Sequence, residues 1–249
     1  MLLPVLLIIL ALAISILFII GSPRSQMPRQ AGIEGIEDVE AARAYDLVSR
    51  MPPFILLRRL IIGNLSRRNP RGILADVGCG PGYLANLIAD RFPDLRVIGV
   101  DASDEMVRTA TLRADKKKLS DRVTFRRGDV ARLPFEDGDL DFVLSTLSLH
   151  HWSNPAMAFR EIHRVLKPEG RAMIFDLRRD ARRRYYWLLR FVTSVVVPSA
   201  LRRIQEPMGS LISSYAMEEV QSLLGASPFT EWRIEGGGMW MFAWMQKAT

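Results

Sequence analysis

A chain of 249 residues has room for one α/β domain with a full core and an appendage, and 49% hydrophobic with 24% charged residues excludes a disordered or fibrous protein. The formal net charge of +7 favours anionic surfaces, either nucleic acid or the headgroups of an anionic leaflet. A single cysteine, Cys79, excludes an internal disulfide and a CxxC metal site, and no cluster in the sequence has metal-ligand spacing.

The first segment is unlike the rest. Leu2 to Ile20 contains no charged residue and is interrupted only by Pro4 and Ser15. At ~1.5 Å per residue a helix of this length spans roughly 28 Å, close to the hydrocarbon thickness of a bilayer. Pro4 falls in the first turn, where a missing N–H costs little, and Gly21-Ser22-Pro23 ends the run. A cleaved signal peptide has a basic region before the run and an A-x-A-like cleavage site after it; nothing basic precedes this run, and Gly21-Ser22-Pro23 is a poor match to such a site. Residues 1–21 are therefore expected to be a retained transmembrane helix. Arg24 and Arg29 follow it, so the positive-inside tendency puts the bulk of a single-pass protein in the cytoplasm.

Residues 22–38 carry Pro, Gly, Arg and Gln without periodicity and read as a linker, leaving 39–249 as one domain. A helical stretch from Val39 to Asn64 is interrupted at Met51-Pro52-Pro53. A regular alternation follows. Strands are predicted over 72–77, 96–100, 123–126, 139–145 and 170–176, and helices over 83–91, 104–118 and 155–166. Short apolar strands separated by helices suit a buried parallel sheet. The tail departs from that rhythm. A short helix at Met217–Leu224 precedes two strands, 229–235 and 239–245, joined through Gly236-Gly237-Gly238. Residues 178–214 stand as an insertion, with eight arginines (Arg178, Arg179, Arg182, Arg183, Arg184, Arg190, Arg202 and Arg203) interleaved with Tyr185, Tyr186, Trp187, Phe191 and an apolar Val195-Val196-Val197. The stretch 182–198 is too short to span and has the composition of a segment lying on a bilayer, with Tyr and Trp at headgroup level. Beside the N-terminal run it favours lipid, and nucleic acid is not expected as a partner.

The segment Ile73 to Tyr83 runs from strand to helix through Gly78-x-Gly80-x-Gly82. Glycines there let backbone N–H groups approach a ligand with no Cβ in the way. The spacing is not the G-x-G-x-x-G that delivers a pyrophosphate to a helix N-terminus. With Asp76 just before it, the loop suits a ligand bearing an amino group. Asp101, after the second strand, can accept hydrogen bonds from both ribose hydroxyls of an adenosine. Asp129, after the third, can meet an adenine amino group with Val130 against its face. Met106 packs beside it or serves the core alone.

Taken in order, LADVGCGPGYLA, VIGVDAS, GDVARLPFEDGDLDFVLSTLSLHHW and EIHRVLKPEGRAMIFDL resemble the class I S-adenosylmethionine-dependent methyltransferases, in particular the type 11 group. The resemblance runs from about Gly72 to Asp176. It implies a Rossmann-like, seven-stranded, mostly parallel sheet with an antiparallel last strand, and S-adenosyl-L-methionine as cofactor. Carried over by position, Asp76, Gly78, Gly80 and Gly82 would hold the methionine part and Asp101 the ribose. Ala102, Met106, Asp129 and Val130 would surround the adenine, and Thr146 and Leu147 would line the reaction centre. His150 and His151 follow the fourth strand. His151 is the candidate general base for a phenol or enol proton, against the alternative that both histidines shape their loop. An insertion after the fifth strand covers the acceptor site in many such enzymes. With the anchor, it implies a small, lipophilic acceptor at a membrane. Two other functions share parts of the pattern: a non-catalytic methyltransferase-like membrane assembly factor, and a NAD(P)-dependent oxidoreductase.

Overall fold

In the computed structural model, residues 21–30, 45–195, 197, 199–203 and 206–249 are described. The apolar run 2–20 expected to be an anchor lies outside them. Among the described residues no helix is long and apolar enough to cross a membrane.

In chain order the elements are α1 (Pro52–Ser66), β1 (Gly72–Val77), α2 (Tyr83–Arg91), β2 (Leu95–Asp101), α3 (Asp104–Lys116), β3 (Val123–Arg127), β4 (Leu140–Thr146), a 3-10 turn (Leu149–His151), α4 (Pro155–Val165) and β5 (Leu166–Leu177). They continue with α5 (Arg183–Val195), α6 (Ser199–Arg203), α7 (Met208–Ser213), α8 (Met217–Gly225), β6 (Glu231–Gly236) and β7 (Trp240–Gln246). The seven strands form one sheet in the order β3-β2-β1-β4-β5-β7-β6. The first five are parallel, and β7 runs antiparallel to both neighbours, pairing Arg171↔Gln246 through Leu177↔Trp240 with β5. The expected α/β architecture, with its antiparallel last strand, is present.

Strand alternation sorts the core into two layers. Ala75, Val77, Ile98, Val100 and Val143 face α4 and α8 through Phe159, Ile162, Val220 and Leu224. Leu74, Val97, Phe142 and Leu144 face the other way, against Ile61 and Leu65 of α1, Leu84 and Ile88 of α2, and Ala114 of α3. Asp76 shares the face of Leu74, and so points toward α2.

Most strand and helix boundaries lie within two residues of expectation, and the main departure is where α4 meets β5. The helix expected to run to Leu166 stops at Val165, and β5 begins at Leu166 rather than Gly170. Leu166 pairs with Leu140, and a register shift before Phe142 absorbs Lys167-Pro168-Glu169, with Glu169 at φ 62°. That segment has turn composition, but β7's extension holds it: Glu169 N–H donates to Lys247 O at 3.1 Å and Lys247 N–H to Gly170 O at 2.9 Å. Residues 22–30, within the expected linker, are bonded to the domain. Ser25 N–H donates to Ala181 O at 2.9 Å, and Arg29 Nε to Ser213 O at 2.6 Å.

Candidate functional site

The strand order reverses between β1 and β4, and a cleft of about 620 Å³ opens beyond the carboxyl ends of β1 to β4 at that point. Gly78 and Gly80 line it from β1, Asp101 and Ala102 from β2, Asp129 and Val130 from β3, and Thr146 and Leu147 from β4. Met106 of α3 and His151 also line it. Ten of the residues expected at the site thus share one cavity; Asp76 and Gly82 do not line it.

The glycine loop shows why. Gly80 has φ 51°, and a Cβ built on it would meet nothing nearer than Tyr45 Cε1 at 3.9 Å, so the chain here leaves space in the cleft that a side chain would take. Its N–H donates to Asp101 Oδ2 at 2.7 Å, while Asp101 Oδ1 accepts from Ser103 N–H at 3.0 Å. Burial pushes the Asp101 carboxyl up, and the Ser103, Gly80 and Ala102 amides oppose that rise. Gly82 acts behind the cleft. It caps α2 at φ 75°, and a Cβ there would stand 2.7 Å from Ala110 Cβ and 2.9 Å from Phe125 Cζ. Its bareness lets α2 lie against α3 and β3.

Asp76 lies under the loop, 1% exposed, and among the described residues neither carboxylate oxygen accepts a hydrogen bond of full geometry. Desolvation, helped by the charge of Asp101 and opposed by the Ala85 backbone amide, pushes its carboxyl up to about 7. A buried, unsatisfied carboxylate is costly unless a cation or donor reaches it. Such a carboxylate could accept an ammonium or another polar donor.

The side of the cleft formed at β2 and β3 is simpler. Ser103 caps α3 by accepting from Met106 N–H at 3.4 Å, which sets Met106 at the wall, 5% exposed. Asp129 is exposed, and its Oδ1 accepts from Ala131 N–H at 2.8 Å, fixing the turn that carries Val130. Leu147 is held at φ 51°, with its N–H on Phe175 O at 2.8 Å, a conformation disfavoured for a leucine.

The two histidines separate. His151 is exposed in the cleft, whereas His150 is 3% exposed behind it. His150 Nδ1 lies 2.7 and 2.9 Å from the two oxygens of Asp176, and His150 N–H donates to Asp176 Oδ2 at 3.0 Å. With Nδ1–H on the carboxylate, the tautomer of His150 is set. The rings of His150 and His151 lie 4.1 Å apart, so the buried pair fixes the surface on which His151 rests.

Three functional positions escaped the sequence reading. Asp176 stands one residue from the end of β5 as Asp101 ends β2, and the same signal, an acidic residue at the end of an apolar strand, could have found it. Tyr45 lines the cleft, but nothing in its local sequence marks it. It is delivered by a latch. Asp46 binds Arg113 at 2.7 Å and Arg50 at 2.7 Å, Arg113 also donates to Pro81 O, and its guanidinium stacks 3.7 Å over Tyr83. Desolvation raises the Tyr45 phenol, with Glu206 and Asp101 adding to the rise. Arg29 donates to His150 O at 3.0 Å and stacks 4.0 Å over Tyr215, tying the N-terminal segment to the histidine turn. Among the described residues, none of 178–214 lines the cleft. The insertion touches the site from behind, where α7 packs on the 3-10 turn.

Comparison with known proteins agrees with this geometry. Residues 75–174 match the family model described as a methyltransferase domain. A demethylmenaquinone methyltransferase of Thermus thermophilus is 31% identical over 140 residues, covering 55% of this chain and 62% of that protein. A structure from Methanococcus maripaludis, ascribed to the S-adenosyl-L-methionine-dependent methyltransferases, superposes with a TM-score of 0.67 at 23% identity, covering 90% of this chain and 98% of the other. Phosphoethanolamine N-methyltransferase 2 of Haemonchus contortus, solved with S-adenosyl-L-methionine, gives a TM-score of 0.65 at 17% identity over 88% of this chain and 61% of that one. These two likenesses carry the fold. The chain spans less than two thirds of the length of the curated relatives it matches, 62% in the Thermus case. Through residues 75–174, the chain is similar to the methyltransferase-domain family.

Proposed function

We propose that this chain transfers the methyl group of S-adenosyl-L-methionine to a small, lipophilic acceptor at a membrane surface. The observation that carries the reading is the cleft at the end of β1, where Gly80 leaves open space beside Asp101 and Asp129, with the buried carboxylate of Asp76 beneath the loop. The residues fit the cofactor. Asp76, Gly78 and Gly80 would hold its methionine end, Asp101 its ribose, and Ala102, Met106, Asp129 and Val130 its adenine. When bound, it supplies a methyl group already made electrophilic by the sulfonium.

The chain's own work is then positional. Thr146 and Leu147, fixed at the end of β4, set the wall beside the reaction centre. Holding the two reactants in line contributes roughly 7–11 kcal/mol of the barrier in well-oriented reactions, without any acid or base. For an acceptor that must lose a proton, His151 stands in the cleft to take it, and the His150–Asp176 pair keeps its neighbour from turning. Domain boundaries at 22–38 and 39–249 belong to the same reading, with the 22–30 stretch serving as a docked strap.

The lipophilic acceptor and the membrane setting rest on the apolar run 2–20 and on a relative named for its action on a demethylmenaquinone. In this reading the protein is single-pass, with its catalytic domain in the cytoplasm. Calorimetry of the purified chain with S-adenosylmethionine, S-adenosylhomocysteine and NADH tests the cofactor. Heat with the first two and none with NADH is expected, and the reverse pattern would overturn the assignment. Radiolabelled cofactor with a lipid extract tests the acceptor: label is expected in the organic phase, and label confined to water-soluble products removes the lipophilic part of the proposal.

A further inference from the structure

The helix α5 has its apolar face turned outward. Its tyrosines point inward: the Tyr186 hydroxyl donates to Arg179 O at 2.6 Å, and a Cβ added to Gly238 would sit 2.3 Å from the Tyr185 hydroxyl. Outward stand Trp187, Leu188, Phe191 and Val195, exposed by 73, 58, 67 and 69%. Positions 187, 191 and 195 recur every four residues with 188 beside them, so they form one stripe. No residue of α5 is buried. An ordinary surface helix keeps such a stripe against the core, and a contiguous apolar patch left outside marks a contact surface. Arg183 and Arg190, seven positions apart, run along one edge of the stripe. Arg202 donates to Ser194 O at 3.2 Å and adds a further guanidinium at the far end.

A second observation says what covers the stripe. Residues 22–24 are bonded to the start of this helix. Arg183 N–H donates to Pro23 O at 2.9 Å, Arg182 Nη1 to Ser22 O at 2.9 Å, and Arg24 pairs with Asp180 at 3.1 Å. The uncharged run of the sequence ends at Ile20, two residues before Ser22. The most apolar segment of the chain therefore leaves the described structure at the N-terminal end of α5.

We infer that α5 lies flat in the interface of an anionic bilayer, in the leaflet where the run 2–20 ends, with its stripe below the headgroups and its arginines at the phosphates. The inference rests on the membrane reading of the run 2–20. Guanidiniums bordering a Trp, Phe and aliphatic stripe match the chemistry of phosphate headgroups over acyl chains. One helix this short binds a bilayer weakly alone, and attachment beside it makes the contact effectively intramolecular. Because α5 packs on α7, and α7 on the histidine turn, this contact fixes the cleft at a set height above the leaflet.

The test uses the full-length chain with Phe191→Cys carrying an environment-sensitive fluorophore. Lys117→Cys at the end of α3 is the control, and the sole native cysteine, Cys79, is buried. The chain is mixed with vesicles of phosphatidylcholine, with or without phosphatidylglycerol. In the anionic vesicles the Phe191 label should be quenched by spin-labelled lipid and shielded from iodide about threefold better than the control, and Arg183→Gln with Arg190→Gln should abolish the difference. A chain that floats with vesicles while its Phe191 label stays as open to iodide as the control overturns the inference and leaves the anchor standing. A chain that does not float with any vesicle removes the anchor reading and this one together. Shielding without vesicles that grows with protein concentration assigns the stripe to a second copy and likewise overturns it.

Discussion

The cofactor side of the molecule and the side built from 22–30 and 178–215 are held together by different means. On the cofactor side the site residues other than Tyr45 lie within a few positions of a strand's carboxyl end, so parallel register brings them together: Asp76↔Gly99 and Val77↔Ser145 fix where the next turns begin. On the other side arginines reach across the chain to carbonyls and carboxylates. Arg29 binds Ser213 O and His150 O, and Arg179 binds Met27 O, Ser214 O and Glu219. Arg178 and Arg179 are only 4 and 7% exposed. A run of arginines that reads as one basic patch therefore has two uses: some are internal struts, and others, such as Arg183 and Arg190, remain outside. Net charge does not distinguish them, because a guanidinium satisfied by carbonyls counts the same as one facing solvent.

If that division is right, substitutions on the two sides should separate binding from stability. The largest effect is expected at Asp101. Asp101→Ala removes both the ribose acceptor and the tie to the Gly80 amide, and cofactor affinity by calorimetry should fall by at least ~100-fold, or about 2.7 kcal/mol. A loss under tenfold would remove Asp101 from the site. Next comes Gly82→Ala. A positive φ and a Cβ only 3.1 Å from the Ala110 backbone should cost roughly 2–3 kcal/mol in urea unfolding, with a midpoint shift that exceeds any change in the unfolding slope. A near-neutral result would show that α2 and α3 can part, and that the loop is less determined by packing than the geometry indicates.

The two sides were also unequally legible. The β/α alternation, the glycine loop and the acidic residues closing β2 and β3 could be read because each is a local pattern: apolar period, turn chemistry, a carboxylate at a strand end. The start of β5 could not, because Lys167-Pro168-Glu169-Gly170 has turn composition and becomes sheet only through β7, about eighty residues later in the chain. Tyr45, Arg29 and the inward Arg179 were invisible for the same reason. Their roles are set by partners brought near by the fold. His150 and His151 were visible as a pair, but only the structure divides them into a buried partner of Asp176 and a residue of the cleft.

A third, smaller effect concerns pH. The folded Asp76 carboxyl stands near 7 against an ordinary 3.8, so between those values the ligand-free native state holds a proton that the unfolded chain has lost. Stability should therefore fall as pH rises through that window, and Asp76→Asn should relieve the fall. Ligand binding has the opposite sign. An ammonium needs the ionised carboxylate, so cofactor affinity should rise about tenfold from pH 6 to 8 in the native chain and stay flat in Asp76→Asn. A pH-independent affinity would mean that the ligand's amino group does not meet Asp76.

The smallest effects probe the strap. Arg24 and Arg29 lie five residues apart and both bind the domain, but in different surroundings. The Arg24 side chain is 57% exposed where it meets Asp180, and exposed pairs contribute about 0–1 kcal/mol, screened by salt. Arg29 donates to two carbonyls at 2.6 and 3.0 Å and stacks on Tyr215, so its loss removes two hydrogen bonds and a ring contact together. Arg29→Ala should cost about 1–2 kcal/mol and change cofactor affinity less than twofold, whereas Arg24→Ala should move the unfolding midpoint by less than the measurement error in moderate salt. Because Arg29 touches the histidine turn and not the cleft, its effect on turnover should appear in the rate with the acceptor rather than in cofactor binding. Equal effects of the two substitutions would mean that the strap is held by general charge attraction, and the distinction between strut and surface arginines would fail at its simplest pair.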